Sequence, residues 1–232
     1  MDQSTIGKHQ RSYIPAAGYD LFLPLYDLMT KLMGGEAARK ALLDRAELKP
    51  GQRVLDIGCG TGSLVVQLKQ LYPELEVIGL DPDPKALARA RRKAQRAAVS
   101  PQFDQEFSDR LAYAADSFDH VFSSFMFHHL EGDQKEGTLR EIRRVLKPGG
   151  YLHLLDFRGP DSAATGSVSH WLHSRHNLKD NSETRILALM LKVGLDDAKT
   201  VEYRTVLFGL GHVAYYQVTA PKLAASENAA PQ

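Results

Sequence analysis

The run Val54-Leu55-Asp56-Ile57-Gly58-Cys59-Gly60-Thr61-Gly62 limits what this chain can fold into more than any other stretch. An apolar strand pattern passes directly into three glycines at alternate positions, and Leu64, Val65, Leu68 and Leu71 then recur at helical spacing. A strand that turns at once into a helix needs backbone at positive φ and room for close approach, and glycine supplies both. The spacing is G-x-G-x-G, not the G-x-G-x-x-G of dinucleotide-binding turns. A pyrophosphate at a helix N-terminus also needs bare N–H groups and no anion beside it, whereas Asp56 stands two residues before the first glycine. Its carboxylate repels a phosphate and attracts a cationic or hydrogen-bond-donating ligand, such as an α-ammonium group. The pattern therefore points to an amino acid joined to a nucleoside. A tight structural turn is the plainer reading, and these flanks weigh against it.

Asp81 follows Gly62 by 19 residues and closes the apolar stretch Val77-Ile78-Gly79-Leu80. A carboxylate at such a strand end can accept both hydroxyls of a ribose. Asp83 directly precedes Pro84 and makes the better helix cap, which leaves Asp81 for the ligand.

Strand-like and helix-like segments alternate from about Arg53 to Gly194, which predicts βαβ units and a parallel sheet. Strands are expected over residues 53–57, 75–80, 102–107, 120–125 and 151–157, followed by 200–208 and 212–219. Only Gly209-Leu210-Gly211 separates the last two, so they read as an antiparallel hairpin. Helices are expected after Asp83 and Pro84, with Leu87, Ala90 and Ala94 on one face, and after a capping box of Asp133 and Glu136. The second of these should stop at Lys147-Pro148-Gly149-Gly150. A third is expected from a Ser182 cap to a Gly194 stop, carrying Ile186, Leu187, Met190 and Leu191.

At 232 residues and 43% hydrophobic content, one compact domain with a sizeable core is expected. Lys plus Arg (29) balance Asp plus Glu (28), so a general polyanion binder is disfavoured and no nucleic-acid partner is expected. The basic run Lys85, Arg89, Arg91, Arg92, Lys93 and Arg96 reads as a solvated helix face. Cys59 is the single cysteine, so no intramolecular disulfide can form and a reducing compartment fits. Residues 1–20 lack the apolar region of a secretory signal. No apolar run reaches the ~20 residues of a membrane span, so a cytoplasmic protein without stable membrane insertion is expected.

The motifs "VLDIGCGTG", "VIGLDPDP", "SFDHVFSSFMFHHL" and "RVLKPGGYLHLLDF" follow one another in this order. Together they resemble the class I S-adenosylmethionine-dependent methyltransferases, with most similarity to the ubiquinone/menaquinone biosynthesis-type small-molecule subgroup. The resemblance covers roughly Asp44 to Thr219. It implies a single Rossmann-like, doubly wound α/β sheet of seven strands with the last antiparallel, and S-adenosyl-L-methionine as the cofactor. On this reading residues 1–43 form an N-terminal helical lid region, 44–220 the methyltransferase domain and 221–232 a flexible tail. Asp56 would hold the methionine amino group, Gly58, Cys59, Gly60 and Gly62 would pass beneath the cofactor, and Asp81 with Pro82 would meet the ribose. Ser123 and Ser124 would line the methionine end with backbone groups. Relatives place an acidic residue after the third strand for the adenine N6 group, and here Phe107 takes that position, with Ser108 or Asp109 as substitutes.

Methyl transfer from an activated sulfonium is an in-line displacement dominated by positioning, so no metal site is expected. His129 and His128, just past the fourth strand, are the candidate general bases, and packing at the strand end is their plainer role. Tyr19 and Tyr26 in the N-terminal aromatic stretch and Trp171 after the fifth strand are candidate substrate contacts. His170, His173 and His176 recur at intervals of three, yet without a cysteine or acid cluster they read as part of a substrate-covering segment. The expected acceptor is a hydroxyl, thiol or amine on a small apolar or aromatic molecule. The competing class is a catalytically silent cofactor-binding scaffold. Oligomeric state is left open.

Overall fold

The structure is a computed structural model that describes residues 35–159, 180–206 and 211–222. The elements in chain order are α1 (Gly35–Asp44), β1 (Arg53–Ile57), α2 (Ser63–Leu71), β2 (Glu76–Leu80), α3 (Pro84–Arg96) and β3 (Gln102–Asp104). They continue with β4 (Phe118–Ser124), a 3-10 turn (Phe127–His129), α4 (Gly132–Val145), β5 (Leu146–Phe157), α5 (Glu183–Lys192), β6 (Lys199–Val206) and β7 (Gly211–Thr219). The strands form one seven-stranded sheet in the order β3-β2-β1-β4-β5-β7-β6. β1 to β5 run parallel, while β7 is antiparallel to both β5 and β6. The expected doubly wound sheet with its closing hairpin is what forms.

Period-two alternation along the strands divides the core into two layers. Val54, Val77, Phe122, Leu155, Val213 and Tyr215 face α1, α2 and α3. Leu55, Ile57, Ile78, Val121, Leu154 and Tyr216 face α4 and α5. The helix α1 belongs to the first layer through Ala38, Leu42 and Leu43, and the Tyr215 hydroxyl donates to the Ala38 carbonyl at 2.9 Å. Residues 35–43, read with the lid region, therefore include a core helix. Residues 1–34 lie outside the described set, and with them Tyr19 and Tyr26. Among the described residues no helix is long and apolar enough to cross a membrane.

The local signals held unevenly. Asp83 caps α3 by accepting from the Lys85 N–H at 2.8 Å, with Pro84 at the first helical position. Gly194 ends α5 at φ +79°. The capping box of α4 is not Asp133 and Glu136. It is Glu131 and Gln134, whose side chains each accept from the other's backbone N–H. The helix starts earlier because the 3-10 turn delivers the chain at Leu130, and Glu136 instead holds Arg140 and Lys192. Ser182 occupies the N-cap of α5, yet its side chain makes no capping hydrogen bond among the described residues. β3 covers three residues rather than six, since only β2 flanks it and the chain leaves the sheet edge after Asp104. In the basic run Arg91 donates to the Phe103 carbonyl and Lys93 to the Thr61 and Ser63 hydroxyls. Part of that run thus braces the sheet edge and the glycine loop.

Candidate active site

The strand order reverses between β1 and β4, and in open α/β sheets the crevice at the carboxyl ends of such strands is where ligands bind. Both loops read from the sequence leave the sheet there. Gly58, Gly60 and Gly62 adopt φ of +70°, +53° and +74°. The Leu80 carbonyl accepts from the Gly58 and Cys59 N–H groups at 2.8 and 2.9 Å, and Asp81 Oδ2 accepts from the Gly60 N–H at 2.8 Å. A Cβ on Gly62 would meet the Ala90 Cβ at 2.8 Å, whereas one on Gly60 would meet nothing within 4 Å. Gly62 serves helix packing; Gly60 faces open space.

Asp81 is more engaged than the sequence reading allowed. Its other oxygen accepts from the Asp83 N–H at 2.9 Å, so the carboxylate that closes β2 also pins the glycine loop. Burial raises its pKa, and the two backbone N–H donors partly offset that. A carboxylate has about four lone-pair directions, so two remain for further donors. Pro82 beside it accepts from the Gln105 side chain at 3.2 Å.

Asp56, at 1% exposure, is the least compensated charge of the site. Its Oδ1 has no hydrogen-bond partner among the described residues. Burial pushes its pKa up to about 8, with the Arg39 guanidinium of α1 opposing and the Asp81 charge adding to the rise. A native fold retains such a group only where something else compensates it, since an unpaired buried polar atom costs ~1–3 kcal/mol.

The second loop begins with Phe125 at φ +56°, an unusual conformation for a bulky side chain. Its N–H donates to the Leu155 carbonyl at 2.9 Å and its ring packs on Phe157 at 5.3 Å, so β5 enforces the turn. The chain then lays Met126 against the glycine loop, where its Cγ fills the space that a Cβ on Gly58 would enter at 2.2 Å. His128 is buried and its Nδ1 lies 2.6 Å from Asp156 Oδ1, while its backbone N–H donates to Asp156 Oδ2 at 2.9 Å. His129 is half-buried, its ring 4.0 Å from that of His128.

Residues 54–150 match a methyltransferase domain family. The demethylmenaquinone methyltransferase of Deinococcus radiodurans is 37% identical over 148 residues, 62% of this chain and 61% of that protein. The chain thus spans just under two thirds of that relative's length. The ubiquinone/menaquinone biosynthesis C-methyltransferase UbiE of Vibrio vulnificus is 31% identical over 229 residues, covering 93% of this chain and 87% of that protein. The chain belongs to the class I S-adenosylmethionine-dependent methyltransferases. A Haemonchus contortus phosphoethanolamine N-methyltransferase 2, solved with phosphomonomethylethanolamine and S-adenosylhomocysteine, shares the fold. Its TM-score is 0.76 at 20% identity, over 89% of this chain and 58% of that one.

Within the methyltransferase the remaining candidates are spread around these two loops. Ser123 registers with Leu154 on the α4–α5 face of the sheet, opposite the face Asp56 occupies, and its buried Oγ lacks a partner among the described residues. Ser124 is half-buried at the strand end. After β3, Phe107 is half-buried and the Ser108 hydroxyl lies 2.7 Å from that of Thr138 on α4, so this loop is tied to the far side of the crevice. Trp171, His170, His173 and His176 fall outside the described residues. The sequence reading missed Asp156, which closes β5 in "LLDF" just as Asp81 closes β2, and that position was the available signal. It also missed Lys135 and Asn181, both fully buried, whose side chains meet at 3.0 Å. The polar spacing of α4 gave no hint that a lysine would turn inward.

Proposed function

We propose that this methyltransferase methylates a ring carbon of a small reduced quinone. The observation that carries the reading is Asp56 Oδ1, without a hydrogen-bond partner among the described residues, beside the open glycine at Gly60 and set against a histidine-bearing loop on the next strand. The residues fit S-adenosylmethionine. Asp56 Oδ1 would accept from its α-ammonium group, Gly58 and Gly60 would pass beneath it, and the remaining lone pairs of Asp81 would take the ribose hydroxyls. Phe107 and Ser108 would border the adenine. When bound, the cofactor supplies a methyl group already activated by its sulfonium. The protein's task is then alignment, which can contribute ~7–11 kcal/mol.

The names of the relatives support a quinone skeleton and a carbon as the methylated atom, in place of the hydroxyl, thiol or amine expected from the sequence. A ring carbon becomes nucleophilic when a neighbouring hydroxyl loses its proton, so a base at the β4 end suits the chemistry. His128 and His129 stand at that end, and histidine is a common general base. A silent scaffold would have no use for such a group beside the cofactor loop. The test is transfer of a labelled methyl group to a short-chain demethylmenaquinol, its oxidised quinone, a phenol, a thiol and an amine. Labelled carbon-methyl product from the reduced quinol alone is expected. Methylation of oxygen, sulfur or nitrogen, or turnover with the oxidised quinone, would overturn the reading.

A further inference from the structure

Asp156 is fully buried, and two backbone N–H groups and a ring nitrogen of His128 converge on its two oxygens. Oδ1 lies 2.6 Å from both His128 Nδ1 and the Phe157 N–H, and Oδ2 accepts from the His128 N–H at 2.9 Å. An ionised carboxylate is an acceptor only, so His128 Nδ1 must carry a proton at this distance; the other tautomer would set two acceptors face to face. We propose that Asp156 is a positioning residue for methyl transfer, holding His128 as the Nδ1–H tautomer so that Nε2 takes the proton of the acceptor hydroxyl. This rests on the reading of the acceptor as a quinol.

The surroundings favour the arrangement. The turn carrying His128 starts against the glycine loop, at Met126, and is fixed to β5 through Phe125. The Phe157 ring meets the His128 imidazole edge-on at 5.2 Å and limits its rotation. Of the charged and titratable groups packed around the pair, Lys135 of α4 is buried, with its ammonium 5.5 Å over the Phe127 ring and bonded to the Asp180 carbonyl and Asn181 Oδ1. Burial pulls the Lys135 ammonium down, and the Asp156 and Asp180 charges oppose that. The ammonium in turn steadies the carboxylate. The His129 ring lies 4.0 Å from that of His128 and tilted 39° to it, and Tyr216 of β7 feels the charges of both Asp156 and Glu183 of α5.

His128 Nε2 takes the hydroxyl proton, and the freed O–H pair moves through the ring into a new bond from ring carbon to methyl. The pair of the broken S–C bond stays on sulfur, leaving S-adenosylhomocysteine. The ring C–H proton then leaves as the hydroxyl is restored, so one proton is released overall. An imidazole held in the wrong tautomer cannot act in this way, and loss of an orienting carboxylate by Asp-to-Asn replacement can cost ~10⁴-fold in rate.

The test begins on the wild-type protein, labelled with ¹⁵N-histidine and saturated with S-adenosylhomocysteine. Long-range ¹H–¹⁵N correlation should show His128 protonated at Nδ1 and bare at Nε2 at neutral pH. Asp156→Asn should move that proton to Nε2, keep S-adenosylhomocysteine affinity within about threefold, and cut turnover of a short-chain demethylmenaquinol by ~10²–10⁴-fold. The rate of the variant should then climb with hydroxide concentration, and Asp156→Glu should recover part of it. A wild-type His128 protonated at Nε2, or an Asp156→Asn enzyme with an unchanged pH profile, would overturn the proposal. If Asp156→Asn does not fold, the wild-type tautomer and the pH profile of His128→Gln decide it in the same way. Failure of the quinol reading has a different signature, in which the wild type itself leaves the quinol unmethylated while the His128 tautomer still tests the positioning claim.

Discussion

Two buried aspartates stand at the carboxyl edge of one sheet, and they are finished differently. Asp156, near the end of β5, spends both oxygens on two backbone N–H groups and a ring nitrogen of His128. Asp56, near the end of β1, keeps one oxygen with no partner among the described residues. Desolvation costs both carboxylates alike, so the difference lies in what compensates them. A closed hydrogen-bond set holds a side chain in place, and an open one makes room for a ligand. On the function proposed above the Asp56 carboxylate is completed by a ligand, while that of Asp156 is engaged by the protein itself.

Matched substitutions can break that comparison. The largest effect expected is on stability: Asp156→Asn should lower it by ~1.5–3 kcal/mol, the scale for disturbing buried hydrogen bonds to a charged group. Denaturant unfolding should show this with S-adenosylhomocysteine affinity nearly unchanged. Asp56→Asn should do the reverse. Its S-adenosylhomocysteine affinity should fall ~10–150-fold, the cost of a charge-assisted hydrogen bond of ~1.5–3 kcal/mol, while the ligand-free protein melts no earlier than wild type. Because Asp56 titrates at about 8 before ligand arrives, affinity should also rise by up to ~tenfold per pH unit from pH 6 to 8 as the carboxylate forms. Calorimetry over that range checks it, and a flat profile would place the ammonium elsewhere.

A smaller effect sharpens the contrast away from the crevice. His120 Nδ1 and His153 Nε2 lie 3.0 Å apart in a stack with Phe122 and Tyr151, and burial lowers their pKa values to about 4 and about 3. Unfolding lets both take up protons near pH 6.5. Their contribution is therefore whole above pH 6.5 and lost as pH falls toward 4, on the order of 2 kcal/mol for the pair by about pH 5.8. Replacing both by phenylalanine should flatten the acid limb of the stability curve. The smallest difference separates two glycines. Gly62→Ala, at φ +74° and against Ala90, should cost ~1–3 kcal/mol of stability. Gly60→Ala meets open space and should cost only the ~1 kcal/mol of a left-handed alanine, with its main loss in cofactor affinity.

The glycine loop, the strand-end aspartates Asp56 and Asp81, the Asp83–Pro84 cap and the closing hairpin were legible because each is written within a few consecutive residues. Backbone conformation, period-two burial and capping are local consequences of residue type. The α4 cap slipped because two overlapping S/T/D/E-x-x-E/Q patterns compete and the 3-10 turn before the helix decides between them. What lies across the sheet was not legible. His128 and Asp156 are 28 residues apart and Lys135 and Asn181 are 46 apart, and no periodicity links them. The meeting of His128 and Asp156 follows from the register of β4 on β5 and from the left-handed turn at Phe125. The sequence by itself thus determined where the glycine-rich strand-to-helix loop must form, since that depends on what each backbone position permits. Only the tertiary structure decided which aspartate is left open and which is closed, because hydrogen-bond satisfaction is settled by neighbours in space.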